Sequence, residues 1–377
     1  MPLTVLLHGD PRAVQQVRLG QALVRRGHRV VVCDAPLVAE RVRERGPCVE
    51  LPLPAWLPQA LRRRWVQRQV QALGVDVVHL NFIRPWHVLW SRMRDGPPYV
   101  ATAWGSDLND EVFRKKPRDR RRIDHVLCHA AALTADSEPL LAVARARAGG
   151  PRPSRIVLWG VDLGQFDRAG VGAATAAWRS DLAIGPQARV VLSPRQTKSH
   201  YFVDRILRAF AASRFRDGGV LLVKLFGRAE EEPVRAELVT LARTLGVADR
   251  IRFVPPCGYH ELPALYALAD VAVTALEVDG FPSTLCELLA LGVPVVATDL
   301  PAYRGVLEHD ETALLVPPGD HDALVAALDR LAGEPELAER LRRRGRALAI
   351  ERADWEKCVD GFEAVYREAM AAGRRSR

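Results

Sequence analysis

Two carboxylates eight positions apart stand out in the stretch from Val278 to Asp299, which reads V-D-G-F-P-S-T-L-C-E-L-L-A-L-G-V-P-V-V-A-T-D. Asp279 precedes Pro282, a residue type that favours the first turn of a helix, and Glu287 follows one turn into that helix. Backbone N–H groups at a helix N-terminus form a ready site for an anion. Two acids that can accept sugar hydroxyls beside such an anion site predict a pocket for a sugar nucleotide.

The elements that must position these acids can be predicted from the same stretch. Ser283 or Thr284 is expected to cap the helix, and Gly292 is expected to end it. Residues 293–298 form an apolar, β-branched run that is typical of a buried parallel strand. An alternative stays open, because Thr284 and Glu287 also fit a capping box, in which Glu287 serves only the backbone.

This stretch resembles the signature of retaining glycosyltransferases of family 4, which have the GT-B fold. The family pattern is an acidic residue, Gly, a short loop, and then Glu-x-x-Ala/Leu-x-Gly-x-Pro-Val-Val-Ala, and it runs here from Asp279 to Ala297. The first acid is usually Glu in the family and is Asp here, which is one methylene shorter. The resemblance implies that Glu287 holds the ribose of a nucleotide sugar and that Asp279 holds the transferred sugar.

Further candidate donor ligands follow the first predicted strand of the C-terminal half, where the chain reads S-P-R-Q-T-K from Ser193 to Lys198. The family has an Arg and a downstream Lys here, and both meet the donor diphosphate. Arg195 matches the Arg, whereas Lys198 comes earlier than the usual Lys, and an ordinary loop lysine is the alternative. Cations at the carboxyl end of a strand can neutralise the charge of a departing nucleotide. The loop and first helical turn complete the predicted donor site with Gly280, Phe281, Pro282, Ser283, Thr284 and Leu285.

The N-terminal half offers Trp104 and Asp107 in the segment A-T-A-W-G-S-D, which follows a predicted strand. The segment resembles the family's T-x-H-G-x-D, with Trp104 where His is common, so that a hydrogen-bonding group is either missing or replaced by a stacking surface. Asp107 is expected to hold acceptor or sugar hydroxyls and to act with Asp279 and Arg195 as a catalytic residue; a helix cap is the alternative. Gly9 matches the family's first loop, where the backbone approaches the ligand closely.

Strand and helix patterns alternate in both halves, which predicts two parallel-sheet α/β domains with ligand sites at the carboxyl ends of the strands. The resemblance implies a GT-B arrangement of two Rossmann-like domains that face a central cleft. Residues 1–160 would form the acceptor-binding domain, residues 161–350 the nucleotide-sugar-binding domain, and residues 351–377 a C-terminal helix that returns to the first domain. Gly160-Val161-Asp162 resembles the family's hinge motif, with Trp159 in place of the usual Asn. The predicted strands are 3–7, 29–33, 75–80, 99–103, 126–134 and 155–158, then 190–193, 220–226, 251–254, 271–275, 293–298 and 313–316.

Composition indicates a globular protein, with 48% hydrophobic and 26% charged residues among 377. The six cysteines form no Cys-x-x-Cys pair, which argues against zinc and a disulfide scaffold and favours a reducing compartment. The first seven residues lack the features of a signal peptide, and no apolar stretch approaches the roughly 20 residues that span a bilayer. We therefore expect a cytoplasmic protein, at most peripheral at the inner face of the membrane.

Charge is unevenly distributed between the two halves. Residues 1–160 carry 26 Lys/Arg and 14 Asp/Glu, a net +12, whereas the rest of the chain carries a net −3. Two basic runs, 62–68 and 114–122, account for much of this excess. An anionic membrane surface is the partner that this asymmetry suggests, with no nucleic acid expected; ordinary solvated faces are the alternative.

Asp320-His321-Asp322 is an acid-x-acid triplet of the kind that some transferases use to bind a metal ion. Because it follows Pro317-Pro-Gly319 and opens an apolar helix, we interpret Asp320 as a helix cap, and we expect neither a metal nor another cofactor. The sequence therefore predicts a retaining, metal-independent glycosyltransferase. It would move a hexose-type sugar from a nucleotide sugar, with UDP preferred, to an unidentified acceptor such as a lipid-linked or cell-envelope glycan precursor. The alternatives are a sugar-nucleotide epimerase or hydrolase on the same fold, and a non-catalytic basic protein that binds lipid or nucleic acid.

Overall fold

The computed structural model describes residues 1–10, 13–33, 48–51, 58–108 and 116–375. These divide into two compact units, one comprising Met1–Trp159 with Glu356–Arg377 and the other Gly160–Trp355. Each unit is built on a sheet in which every paired strand is parallel to its neighbour. The predicted fold class, two parallel α/β domains, is therefore confirmed.

The sheet of the first unit has the order β3-β2-β1-β4-β5-β6-β7. The direction of winding reverses between β1 and β4, where His8 pairs with Leu80. In open α/β sheets, ligands bind beyond the carboxyl ends of the strands at such a reversal. The described strands are β1 (Thr4–His8), β2 (Arg29–Cys33), β3 (Val49–Leu51), β4 (Val77–Asn81), β5 (Tyr99–Ala103), β6 (Ala132–Ala135) and β7 (Ser154–Ile156).

Helices cover both faces of this sheet, as connections between parallel strands require. One prediction is wrong here, because residues 126–129 continue a helix and the strand begins only at Ala132. Ile123, Val126 and Leu127 are buried together, and their spacing is that of one helical face. The helices that precede the second unit are α1 (Val14–Arg25), α2 (Gln59–Ala72), α3 (Val88–Ser91), α4 (Pro117–His129) and α5 (Glu138–Ala148).

The second unit has a sheet of order β10-β9-β8-β11-β12-β13, which reverses between β8 and β11. All residues of β8, β9, β11 and β12 are buried, as expected for strands covered on both faces. Its strands are β8 (Val190–Ser193), β9 (Val220–Lys224), β10 (Ile251–Val254), β11 (Val271–Thr274), β12 (Val295–Thr298) and β13 (Leu314–Val316). Its helices are α6 (Gly172–Asp181), α7 (Val203–Ala212), α8 (Glu231–Thr244), α9 (Leu262–Tyr266), α10 (Ser283–Ala290), α11 (His321–Gly333) and α12 (Pro335–Arg352).

The last helix, α13 (Trp355–Arg375), packs on the first unit, as predicted. Arg26 at the end of α1 binds Glu356 of α13 at 2.7 Å. The ring nitrogen Nδ1 of buried His79 on β4 lies 2.7 Å from the hydroxyl of Tyr366, within hydrogen-bonding distance. A surface ion pair and a buried polar contact thus join α13 to the unit that contains the N-terminus.

Candidate active site

Arg195 and Asp279 form an ion pair beyond the carboxyl ends of two neighbouring strands, β8 and β11. Their Nη2 and Oδ2 atoms are 2.9 Å apart, and the side chains are only 14% and 15% exposed. The Tyr303 hydroxyl donates to the same Oδ2 at 3.2 Å, and the Gly280 N–H donates to Oδ1 at 3.0 Å. The structure therefore brings together two of the three predicted catalytic residues and holds the carboxylate in a defined orientation.

Burial is the largest influence on the pKa values of both partners. It raises the pKa of the Asp279 carboxyl above its ordinary value, although Arg195 and the hydrogen bond from Tyr303 lower it. Burial lowers the pKa of Arg195, but Asp279 and the neighbouring Tyr201 raise it further. Arg195 therefore keeps its positive charge, and Asp279 depends on that charge to remain ionised in a site from which most water is excluded.

Helix α10 begins at Ser283, one residue after Pro282, which occupies the N-cap position in an extended conformation. Among the described residues, no side chain caps this helix. The expectation that Ser283 or Thr284 would be the cap is therefore wrong, because both residues already lie inside the first turn. The N–H of Leu285 donates to the Pro282 carbonyl at 3.0 Å and closes that turn. The Leu285 amide is therefore not available to bind an anion, contrary to its predicted place among the donor ligands. Pro282 has no side-chain acceptor, so it cannot cap the residues that follow it.

Glu287 lies in the second turn of α10 and is only 2% exposed. The Tyr259 hydroxyl donates to its Oε1 at 3.2 Å. A capping box needs its Thr at the N-cap, and Thr284 lies two residues inside the helix, so the capping interpretation of Glu287 fails. The carboxylate is a buried acceptor within the same unit as the Arg195 pair.

Phe281 forms part of the wall of this region. Its ring is 1% exposed and packs edge-to-face on Tyr303, with 5.8 Å between ring centroids. Since the Tyr303 hydroxyl binds Asp279, this packing fixes the loop that carries the carboxylate. Phe281 is therefore placed to shape the loop.

Asp107 and Trp104 lie in the first unit, in the loop that follows β5. Asp107 is 2% exposed, and its Oδ1 accepts from the N–H groups of Trp104 (3.0 Å) and Gly105 (2.9 Å). Its Oδ2 accepts from Ile83 N at 2.8 Å. Burial raises the pKa of Asp107 to about 6, although these backbone donors lower it. Both carboxylate oxygens thus organise two loops at one edge of the sheet.

The side chain of Trp104 is half-buried and oriented by two contacts. Its Nε1 donates to Asn81 Oδ1 at 3.2 Å, and its ring meets that of Trp159 with centroids 5.0 Å apart. Trp159 in turn packs on Phe362 of α13, at 5.1 Å between centroids. The ring is fixed in place and still partly exposed.

Comparisons with known proteins agree with this fold and these motifs. Residues 13–165 match the family model described as Glycosyltransferase Family 4, and residues 175–348 match Glycosyl transferases group 1. A glycosyltransferase from Rickettsia africae superposes with a TM-score of 0.81 at 16% identity, over 98% of this chain and 99% of that one. HepE of Anabaena, solved with UDP-glucose, superposes with 0.78 at 17% identity, over the whole of both chains. A D-inositol 3-phosphate glycosyltransferase of Saccharomonospora viridis is 31% identical over 314 residues, 79% of this chain and 71% of the relative. The chain belongs to the GT-B glycosyltransferases.

In this GT-B glycosyltransferase, two of the departures from the expected motifs touch each other. Trp104 stands where His is common and Trp159 stands where Asn is usual, and their rings are in contact. A change at one position therefore alters the packing of the other. Sequence reasoning noted both residues but contained no signal that they meet.

Sequence reasoning missed four buried polar side chains near Gly9, namely His8, Gln16, Asn81 and His87. Added to Gly9, a Cβ would come within 2.9 Å of Asn81 and would collide with Gln16, so the close approach predicted for this loop involves protein groups. His8 stacks near His87 at 4.6 Å between ring centroids. Within the described ranges, no protein atom bonds to Nε2 of either His, to Asn81 Nδ2 or to the Gln16 amide. The available signal was a polar residue at the end of each of two apolar strands, β1 and β4.

Lys198 and Lys224 occupy different places in the second unit of the glycosyltransferase. Lys198 lines a groove of about 350 Å³ along α7 and α8, with Val203 and Leu238 among its neighbours. Lys224 ends β9, is 3% exposed and lies within electrostatic reach of Glu287. The sequence signal for Lys224 was one charge at the end of an otherwise apolar strand, and it was overlooked.

The remaining predicted features lie outside these two regions. Asp320 caps α11 by accepting from Ala323 N at 2.9 Å, as predicted. Among the described residues, no three His, Cys, Asp or Glu side chains are grouped so as to hold a metal ion. No helix within the described ranges combines the length and apolar character that crossing a bilayer requires. The basic run 62–68 lies on α2. Of the run 114–122, residues 117–122 lie on α4 and Lys116 precedes that helix, whereas Arg114 and Lys115 are outside the described residues.

Proposed function

We propose that this GT-B glycosyltransferase moves a hexose-type sugar from a UDP-sugar to an acceptor, with retention of configuration and without a metal ion. The Arg195–Asp279 ion pair near the N-terminus of α10 carries this proposal. A guanidinium and a helix N-terminus can stabilise the diphosphate that leaves the sugar. HepE, whose structure contains UDP-glucose, supports UDP as the nucleotide to test first.

Two acids and two backbone amides of the second unit have proposed roles in donor binding. Glu287 holds the ribose hydroxyls, because it is a buried carboxylate in the second turn of α10, close along the helix to the N-terminal amides that would bind the phosphate. The first-turn amides of Ser283 and Thr284 meet the phosphate next to the sugar. Asp279, oriented by Tyr303, accepts hydroxyl groups of the transferred sugar.

Donor binding exchanges the partner of Arg195. In the free protein the guanidinium is held by Asp279, and with donor bound it is shared with the diphosphate. Asp279 then has an oxygen free for a sugar hydroxyl while Tyr303 continues to donate to it. The ion pair therefore keeps both groups ionised and correctly placed before the substrate arrives.

Transfer with retention needs no protein nucleophile. The bond from the anomeric carbon to the phosphate oxygen breaks, and the acceptor oxygen bonds to the same face of that carbon. The acceptor's proton passes to the departing phosphate oxygen, so charge and atoms balance. Arg195 and the start of α10 stabilise the negative charge that develops on the phosphate.

The first unit is the proposed site of the acceptor. Asp107 positions the loop of Trp104, and the exposed part of that ring suits stacking on the apolar face of a sugar or cyclitol. Asn81 and the two buried imidazoles offer neutral hydrogen-bonding groups of the kind that recognise hydroxyls. The name of the Saccharomonospora viridis relative makes D-inositol 3-phosphate the first acceptor to test.

The proposal is tested in two steps. A thermal-shift screen with UDP, GDP and ADP comes first, since a ligand at 100 times its Kd adds about 2.7 kcal/mol to stability. UDP-glucose and D-inositol 3-phosphate are then incubated with the protein, and the products are followed by NMR. We expect UDP release that requires the acceptor and an α-linked product.

Other outcomes of these steps contradict particular parts of the proposal. Absence of any nucleotide-induced shift refutes donor binding. Free glucose formed equally well without acceptor indicates a hydrolase, and a β-linked product refutes retention. Arg195→Met serves as the inactive comparison for background hydrolysis.

A further inference from the structure

Lys224 is a buried cation that has no ionic partner among the described residues. It ends β9, is 3% exposed, and its Nζ lies 3.4 Å from the ring centroid of Phe226. Across the described part of the chain, no carboxylate forms an ion pair with it. Burying a charge costs free energy unless the charge is paired and hydrogen-bonded, and a single aromatic face offsets only part of that cost. Folding alone therefore gives no reason for a lysine at this position.

Glu231, one of the acids that influence Lys224, bonds to backbone amides instead. Glu231, itself 3% exposed, accepts from Thr197 N at 3.2 Å through Oε1. Its Oε2 accepts from Phe226 N at 2.8 Å and from Arg228 N at 3.1 Å. This carboxylate thus ties the loop after β8 to the loop after β9 and forms no ion pair with the ammonium of Lys224.

The position of Lys224 relative to the proposed donor site is defined by its neighbours. Burial lowers the pKa of Lys224, and Cys257, Glu231 and Glu287 raise it. Arg195 is influenced by a different set, headed by Asp279. β9 lies next to β8 in the sheet, and Val223 pairs with Ser193, so Lys224 ends its strand at the same edge of the sheet as the loop that carries Arg195.

We propose that Lys224 is a second cation of the donor site and that it donates to an oxygen of the nucleoside part of the bound nucleotide. This inference rests on the proposed function, in which Glu287 holds the ribose and Arg195 the diphosphate. An ammonium has three donors and no acceptor. It therefore favours a base that presents a carbonyl oxygen, such as uracil, over one that presents an amino group at that point, such as adenine.

Lys224→Met separates a ligand-binding role from a structural one, because the two predict opposite effects. Met is an unbranched apolar residue of similar length, so the variant removes an unpaired buried charge and should raise the melting temperature of the free protein. The same change should weaken binding of UDP and of UMP by a similar factor, about 10- to 100-fold, or about 1.4–2.8 kcal/mol. Calorimetry gives both affinities, and Arg243→Met, on the exposed face of α8, is the matched control.

The outcomes distinguish this inference from the proposed function. Wild-type protein that binds UDP while Lys224→Met binds it equally well overturns the role of Lys224 alone. A loss confined to UDP, with UMP unaffected, assigns the ammonium to the terminal phosphate and overturns the nucleoside contact. Wild-type protein that binds no nucleotide overturns the proposed function as well. Lys224→Gln, which keeps a neutral donor, should lose less affinity than Lys224→Met and supports the same comparison if the Met variant folds poorly.

Discussion

Replacing Glu287 by Gln tests the proposed ribose contact with little change in shape. The side chain is 2% exposed in the second turn of α10, and Tyr259 can still donate to the amide oxygen of Gln. A hydrogen bond to a charged group contributes about 1.5–3 kcal/mol, against about 0.5–1.5 kcal/mol for a neutral pair. With two ribose hydroxyls, the variant should therefore lose about 2 kcal/mol, which corresponds to a Kd for UDP about 30-fold weaker.

The assay is titration calorimetry of UDP into wild-type protein, Glu287→Gln and the control Glu237→Gln, which changes an exposed carboxylate on α8. Circular dichroism and the melting temperature should show that the first variant remains folded. Unchanged UDP affinity in Glu287→Gln, with the wild type binding well, would refute the ribose contact. A loss of affinity in Glu237→Gln of the same size would show that the effect is one of overall charge.

Four other perturbations test these proposals. Arg195→Met should lower kcat for sugar transfer by about 100- to 1,000-fold, the usual cost of one donor to a developing oxyanion, and assays of UDP release should show it. Its melting temperature should also fall, because Asp279 loses its partner in a buried ion pair. Because the pKa of Asp107 is raised to about 6 in the folded protein, its protonated form adds stability below about pH 4 that is lost as pH rises through about 6. Denaturant titrations should therefore show the unfolding free energies of wild type and Asp107→Asn diverging across that pH window. Unfolding free energies that run parallel with pH would contradict it. As a hypothesis, transfer should survive excess EDTA, whereas collapse restored by Mn²⁺ would refute metal independence. A second hypothesis is that the protein binds anionic vesicles at low salt through the 62–68 run, with about 1 kcal/mol from each basic residue. Cosedimentation that is unaffected when those arginines are changed to Gln would refute it.

The sequence by itself determined most of the secondary structure. The strands at 29–33, 99–103, 190–193 and 251–254 lie where they were predicted, because strands buried on both faces read as short apolar runs. The prediction failed at 126–129, since a short apolar run does not distinguish the buried face of a helix from a strand. The three-residue strand Val49–Leu51 was also missed, because so short a run carries no pattern.

Features that depend on neighbours within a turn or two of chain were also predictable. Asp320 caps its helix through a contact only three residues away. The stretch from Asp279 to Glu287 contains its loop, its helix start and both acids, so its type and spacing could be recognised directly. The exact start of α10 was the exception, because Pro282 takes the N-cap position that Ser283 or Thr284 was expected to fill.

Only the tertiary structure decided which distant side chains meet. The pairing of Arg195 with Asp279 and the contact of Trp104 with Trp159 join residues far apart in the chain. Within the described part of the chain, Lys224 has no carboxylate partner, and one reason is that Glu231 bonds to three backbone amides of nearby loops. A parallel sheet gathers the ends of separate strands at one edge, and side-chain packing then selects the partners there. The local sequence around each residue does not show which distant partner it will contact.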